Sequence, residues 1–227
     1  MDVIKAIKTR RTIRHFIDKP VSEDALKNVI DAARWAPSAC NRQGWRFIVI
    51  KDKNQIDRLE KAGTVYFLKR IPLPILVLYD KRTDNSAYHD HIQSASAAIQ
   101  NMFLAAHSSG LGMVWCDNLP AKKTIRKIFK IPWNYDVVSL VGLGYYNKES
   151  MPKALPRKKR AEELLSYDYW SFDEKTPSRL DFKLRIKRFL RIIYHSMPVG
   201  LKKYLRPIAI RFEKKFDPKD VEELKNE

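Results

Sequence analysis

Between Val3 and Tyr146 the apolar positions switch repeatedly between helical spacing and short unbroken runs. Val3, Ile4 and Ile7 share one face of a short helix expected over residues 2–9. Ser22 is a candidate N-cap, followed by Glu23 and Asp24 in the first turn, and it opens a helix through Ala25, Leu26, Val29, Ile30 and Ala33 to Trp35. Pro37 forces its end. The run WRFIVIK (45–51) reads as a buried strand, 54–62 as a short helix, and LPILVLYD (73–80) as a second strand entered through Pro72 and Pro74. A long helix is expected from about His89 to Ser109, closed by Gly110 as the glycine just past its end. Its small residues (Ser94, Ala95, Ala97, Ala98, Ala105 and Ala106) suit close packing at the centre of a fold. GMVWC (112–116), Ala121–Phe129 and DVVSLVGLGYY (136–146) then give strand, helix and strand. The alternation implies an α/β or α+β layer in which helices cover a sheet, and no internal repeat or low-complexity tract interrupts it.

Length and composition narrow the picture. A chain of 227 residues amounts to one large domain, or one domain and an appendage, and buries roughly 70% of its unfolded surface without needing disulfides. Cys40 and Cys116 form neither a disulfide framework nor a metal knuckle, which points to a reducing, cytoplasmic setting. The N-terminal stretch MDVIKAIKTRRTIRHF lacks the apolar centre of a signal peptide. No run approaches the roughly 18 apolar residues of a membrane span.

The formal net charge is +18, and its distribution is uneven. Residues 175–215 hold 13 Lys or Arg against 2 acids, a net +11, while the last twelve residues carry −3. The shift sets a boundary near Thr176-Pro177-Ser178, dividing the chain into a globular domain over 1–174 and a basic extension over 175–227.

Four segments could carry chemistry. Arg10-Arg11-Thr12-Ile13-Arg14 sets three guanidinium forks and a hydroxyl beside a short helix, a grouping suited to a small anion or to a solvated basic turn. The stretch ARWAPSACNRQGWRF (33–47) puts Pro37, Ser38, Ala39, Asn41 and Gln43 between helix and strand, where two residues of turn would suffice. Its free backbone N–H groups and amides suit the polar edge of a flat heteroaromatic ring, or else satisfy the loop's own backbone. Pro156-Arg157-Lys158-Lys159-Arg160 is a second basic cluster, either solvated or a further clamp on the same anion. In Tyr88-His89-Asp90-His91 the two histidines do not share a helix face, so solvated capping residues are expected there rather than a metal site. Neither cysteine is paired by spacing with a histidine, so a thiol nucleophile is not expected, and GLGM (110–113) and GLGYY (142–146) make no dinucleotide fingerprint.

In order along the chain, RRTIRHF, AARWAPSACNRQGWRFIVI, AAIQNMFLAAHSSGLGMVW and VVSLVGLGYY followed by PRKKRAEELL resemble the flavin-dependent nitroreductase family over about residues 1–170. The resemblance implies an α+β three-layer sandwich with a mixed central sheet flanked by helices, to which this chain adds a C-terminal helical extension. It also implies a homodimer with FMN at the subunit interface, helix 89–109 serving as a packing and dimer element. Arg10, Arg11, Thr12 and Arg14 would hold the FMN phosphate and ribityl chain, and Arg157 would close on the phosphate. Pro37, Ser38, Ala39 and Asn41 would line the isoalloxazine from the partner subunit, with Gln43 nearby, and Cys116, Asp117 and Asn118 would offer backbone N–H toward the N5 edge. NADH or NADPH would reduce the flavin, and a small electron-poor acceptor (nitro compound, quinone, enone or a dedicated metabolite) would then reoxidise it in a ping-pong cycle, with no side-chain acid or base demanded. The chain departs from the pattern at Gly44, where the family has proline and a looser loop is expected, at Cys40, and in the short segment 63–71.

The extension repeats helical spacing in 179–216, through Leu180, Leu184, Ile186, Phe189, Leu190 and Ile193, and after Met197–Gly200 through Leu201, Tyr204, Leu205 and Ile208. Such a basic amphipathic segment suits either an anionic membrane surface, making the protein peripheral there, or an arm on the dimer; nucleic acid is disfavoured because no reader module accompanies the charge. The rival to an enzyme is a non-catalytic flavin binder recruited by this tail to a membrane or acidic partner. A reductase of one biosynthetic intermediate is a third reading.

Overall fold

The computed structural model describes residues 1–172 apart from 66, 83 and 84, together with Ile186, Phe189 and Ile193. The chain divides into two compact units, Met1–Arg160 and Ala161–Glu227. The expected boundary near Thr176 and most of the amphipathic segment lie outside the described residues.

In the first unit, α1 (Val3–Thr9) starts at Asp2, whose carboxylate accepts from the Lys5 N–H, and α2 (Glu23–Arg34) starts at Ser22, whose hydroxyl accepts from the Ala25 N–H. β1 (Trp45–Val49), α3 (Lys53–Lys61) and β2 (Leu73–Asp80) follow, then the 19-residue α4 (Asp90–Ser108), β3 (Gly112–Cys116), α5 (Lys122–Phe129) and β4 (Tyr135–Gly144). Gly110, at φ +76°, ends α4: its N–H reaches the His107 carbonyl, and the Leu111 N–H reaches the Ala106 carbonyl. This is the paired C-terminal closure that favours glycine.

The four strands lie in the order β1-β2-β4-β3, and every neighbouring pair is antiparallel. The fold is the expected α+β sandwich. Its mixed character among the described residues rests on a single parallel bridge, Thr12 to Met113. β2 shows why the central strands read as unbroken apolar runs. Leu73, Ile75, Val77 and Tyr79 pack into one core with α2 and α4, while Leu76 and Leu78 enter a second core with Leu59 of α3 and Ile125 and Ile128 of α5. Both faces of the strand are covered, so no polar alternation survives.

Residues 12–17 run along the free side of β3 and across the end of β4. The Ile13 N–H donates to the Met113 carbonyl and the Ile17 N–H to the Tyr145 carbonyl, each at 2.9 Å. Gly112 and Gly144 face each other in the β3–β4 register. A Cβ on Gly112 would meet Ile13 at 2.7 Å, and one on Gly144 would meet Phe16 at 2.7 Å. Glycine at these two positions lets the arginine-bearing segment lie directly on the sheet.

Candidate functional site

That close approach fixes where the basic residues go. Arg10 caps α1 and leaves its guanidinium over the Phe103 ring of α4, 5.1 Å from the centroid. Phe103 in turn packs against Trp115 of β3, with centroids 6.4 Å apart. Burial, then the charge of Arg11, then that of Arg157 all press down the Arg10 pKa, so the structure brings the first and last predicted cations into one field. Arg14 lies close enough to Cys116 for its charge to act on the thiol. Arg11 is partly engaged: its Nη1 donates to the Lys8 and Arg10 carbonyls. Thr12 makes the bridge to Met113.

The cluster has unmet donor capacity. Among the described residues, Arg10 Nε, Arg11 Nε and Trp115 Nε1 are buried donors with no acceptor, and no carboxylate pairs with Arg10 or Arg11. Buried cations normally sit beside an anion. His107, one turn beyond Phe103 on α4, feels the excess of positive charge. Burial first, then Arg10 and Arg11, lower its pKa, and its Nε2 lies 2.8 Å from the Thr9 hydroxyl. The donor set therefore fits a phosphate-bearing ligand.

The 37–43 loop is built differently. Cys40, Asn41 and Gln43 all take left-handed backbone conformations, with φ near +50°, a costly run for non-glycine residues. Hydrogen bonds hold it: the Ser38 hydroxyl accepts from the Gln43 N–H at 3.1 Å, Gln43 Nε2 donates to Asn41 Oδ1 at 2.8 Å, and the Ala39 N–H donates to Ser94 Oγ at 3.2 Å. Ser94 is buried and donates onward to the Asp90 carbonyl. It is the residue the sequence hid, read there only as one more small packing residue. Nor is Gly44 a loosening substitution. A Cβ at this position would lie 2.8 Å from Cε1 of Tyr79, a ring 2% exposed that also meets Trp45 edge to face. Tyr79 occupies the space that a larger residue 44 would need.

Cys116 ends β3 with its carbonyl accepting from the Ser139 hydroxyl at 3.0 Å, and burial pushes its thiol up to about 12. Asp117 is exposed and Asn118 half-buried, its carbonyl accepting from Thr64 at 3.5 Å. His91 departs from the expected solvated cap. Its side chain is largely buried with Nε2 3.6 Å from Asp136, which also pairs with Lys122 at 2.5 Å and Arg126 at 3.6 Å. This network ties α4 and α5 to the start of β4. No group of three His, Cys, Asp or Glu side chains among the described residues could hold a metal.

On the first unit's surface, Met1, Val3, Ile4 and Ile7 stay exposed. A groove of about 300 Å³ runs beside them, lined by Met1, Val3, Ala32, Trp35, Leu104 and Ala105 among others. Trp35 borders it two residues before Pro37, while the loop residues 37–43 do not line it.

Compared with known proteins, residues 7–64 and 60–145 match the family described as the nitroreductase family. A protein of Archaeoglobus fulgidus with the provisional name NADH dehydrogenase/NAD(P)H nitroreductase is 36% identical over 152 residues, covering 65% of this chain and 87% of its own. A crystal structure of a nitroreductase family protein from Clostridium difficile aligns over 75% of this chain and 100% of its own, at 29% identity and TM-score 0.64. An FMN-dependent nitroreductase from another strain of that species aligns over 76% of this chain and 100% of its own, at 32% identity and TM-score 0.57.

Proposed function

The chain belongs to the nitroreductase family, and from that membership we propose that it is an FMN-dependent oxidoreductase taking reducing equivalents from NADH or NADPH and delivering them to a small electron-poor acceptor. The observation that carries the reading is the half-buried Arg10, on the Phe103 ring, in the field of Arg11 and Arg157 with its Nε unmet. A dianionic phosphate supplies what that cluster lacks, and the name of one structural relative specifies FMN.

In this reading Arg10, Arg14 and Arg157 grip the phosphate, with Thr12 and the remaining donors of Arg11 beside it. Bound FMN would supply the redox chemistry, accepting hydride from the nicotinamide and passing reducing equivalents on. The protein's part is to hold and orient. The hydrogen-bonded loop 37–43 would present polar groups along a ring edge, and the turn Cys116–Asn118 would present backbone donors near Arg14. No side chain is required to move a proton.

The same reading makes the protein a homodimer. Ser94, which anchors the loop, and Phe103, which carries Arg10, are nine residues apart on α4, about 14 Å along its axis at 1.5 Å per residue. A second copy docked on the exposed Val3, Ile4 and Ile7 face would cover the groove and lend its own loop to the arginine group. Such apolar faces at water-exposed positions are what a permanent interface buries.

The absorbance spectrum of the purified protein tests the proposal. We expect a yellow protein with flavin bands that NADH or NADPH bleaches and a quinone or nitroaromatic restores. A colourless protein that takes up no FMN on reconstitution rejects it. Turnover no faster than that of free FMN would leave a flavin-binding protein rather than an enzyme.

A further inference from the structure

The second unit opens on an unusual surface. Leu164, Leu165, Tyr167, Tyr169 and Trp170 are all exposed, Trp170 to 69%. They are not loose chain: the Ser166 hydroxyl binds the Tyr169 carbonyl and accepts from the Ser171 N–H at 3.0 Å, and Asp168 takes a left-handed conformation between the tyrosines. Trp170 meets Phe172 edge to face at 4.8 Å. A hydrogen-bonded turn thus holds aromatic rings out to solvent, where they gain nothing from water.

Downstream, Ile186, Phe189 and Ile193 are each helical, and in the sequence their spacings of three and seven are those of an amphipathic face. Ile186 is exposed and Phe189 is 63% exposed. Around them the sequence places Lys183, Arg185, Lys187, Arg188 and Arg191, within a segment of net charge +11. We propose that the Ala161–Glu227 unit docks the protein on an anionic lipid bilayer, Tyr167, Tyr169 and Trp170 seating at the headgroup level and the exposed Ile186 and Phe189 entering the acyl boundary.

Each part answers a different property of that partner. Tyr and Trp favour the interface between water and hydrocarbon, where a ring and a polar tip are both satisfied. Aliphatic side chains need an apolar partner, which a nucleic-acid backbone does not offer. The cations need a negative surface. A second copy of the unit would bring two segments of net charge +11 against each other, a like-charge repulsion that disfavours self-association as the cover. The inference does not depend on the flavin reading, and flavin content measured alongside keeps the two apart.

The test uses the full-length protein, sedimented with phosphatidylcholine vesicles with and without phosphatidylglycerol. Pelleting is expected only with the anionic vesicles, and to fall sharply at about 1 M salt, where the screening length shrinks to ~3 Å. The double variant Ile186→Asp with Phe189→Asp should pellet several-fold less while keeping its flavin content and oligomeric mass. Vesicles should also shift tryptophan emission to the blue, and Trp170→Phe should remove most of that shift. Equal pelleting with neutral vesicles, pelleting with neither, or no response to the double variant overturns the proposal. So does a double variant that changes the oligomeric mass, since the face would then belong to a second copy.

Discussion

The Arg10 guanidinium lies 5.1 Å from the centre of the Phe103 ring and feels the charge of Arg157, a residue from the far end of the same unit. Two cations drawn together with a buried Nε unmet make a site that is more stable with an anion than without one. Arg10→Ala and Arg157→Ala should each weaken FMN binding by roughly tenfold to a hundredfold, the loss of one charge-assisted contact of about 1.5–3 kcal/mol. Riboflavin, which lacks the phosphate, should bind wild type and variants alike. Fluorescence titration with both flavins checks this; equal losses for the two would move the phosphate elsewhere.

His107 gives a protonation readout of the same site. Its pKa is lowered by burial and by Arg10 and Arg11, so its charged form is disfavoured in the folded protein and stability should decline as pH falls below the ordinary histidine value of about 6.5. An anion beside the two arginines offsets their charge. Inorganic phosphate or FMN should therefore raise the His107 pKa, and Arg10→Gln should raise it without any ligand. Titration of the imidazole resonances by NMR measures both shifts.

The fold was legible because its signals were local: a serine N-cap at Ser22, a glycine closure at Gly110, and strands whose two covered faces leave apolar runs such as 73–80. The candidate site is legible only in its ingredients. Arg10 and Arg14 announce an anion by residue type, but nothing in the sequence says that Phe103 is the platform for one of them or that Ser94 holds the 37–43 loop, since a buried serine among alanines looks like packing. Gly44 misled for a related reason. Glycine suggests freedom, and only the tertiary contact with Tyr79 turns it into a fit. His91 likewise looked solvated until β4 brought Asp136 beside it.

Ile4 tests the proposed dimer interface. It is exposed in the single chain, so Ile4→Glu should leave the fold intact. At a buried dimer contact the same carboxylate is desolvated without a partner, a cost of several kcal/mol. Sedimentation equilibrium should show a monomer and the protein should lose FMN in parallel, since the loop and the arginine group would no longer meet. A dimer that persists with full flavin would put the interface on another face.

Gly44→Ala should destabilise the protein by about 1–3 kcal/mol, the usual cost of forcing extra volume into a packed site. The added methyl would sit 2.8 Å from a tyrosine ring that is 2% exposed. Tyr79→Leu should recover part of the loss in the double variant, because the two changes share one space. Urea denaturation of the four proteins gives the coupling; strict additivity would separate Gly44 from Tyr79.

Cys116 and Cys40 should behave as opposites. Burial raises the Cys116 thiol from 9.0 to about 12, with Arg14 only partly opposing, whereas Cys40 is exposed in its loop. The thiolate is the reactive form, so at pH 8 a thiol reagent should label one cysteine per folded chain rapidly and the second only after unfolding. The same shift has a sign in stability. The unfolded chain gives up this proton near pH 9 while the folded chain keeps it to about 12, so folding is unaffected by this group below pH 9 and progressively disfavoured between the two values. Cys116→Ala should flatten that part of the stability curve at a modest cost at neutral pH. Rapid labelling of both thiols in the folded protein would mean that β3 ends in solvent, and with it the turn assigned to the flavin edge would lose its buried footing.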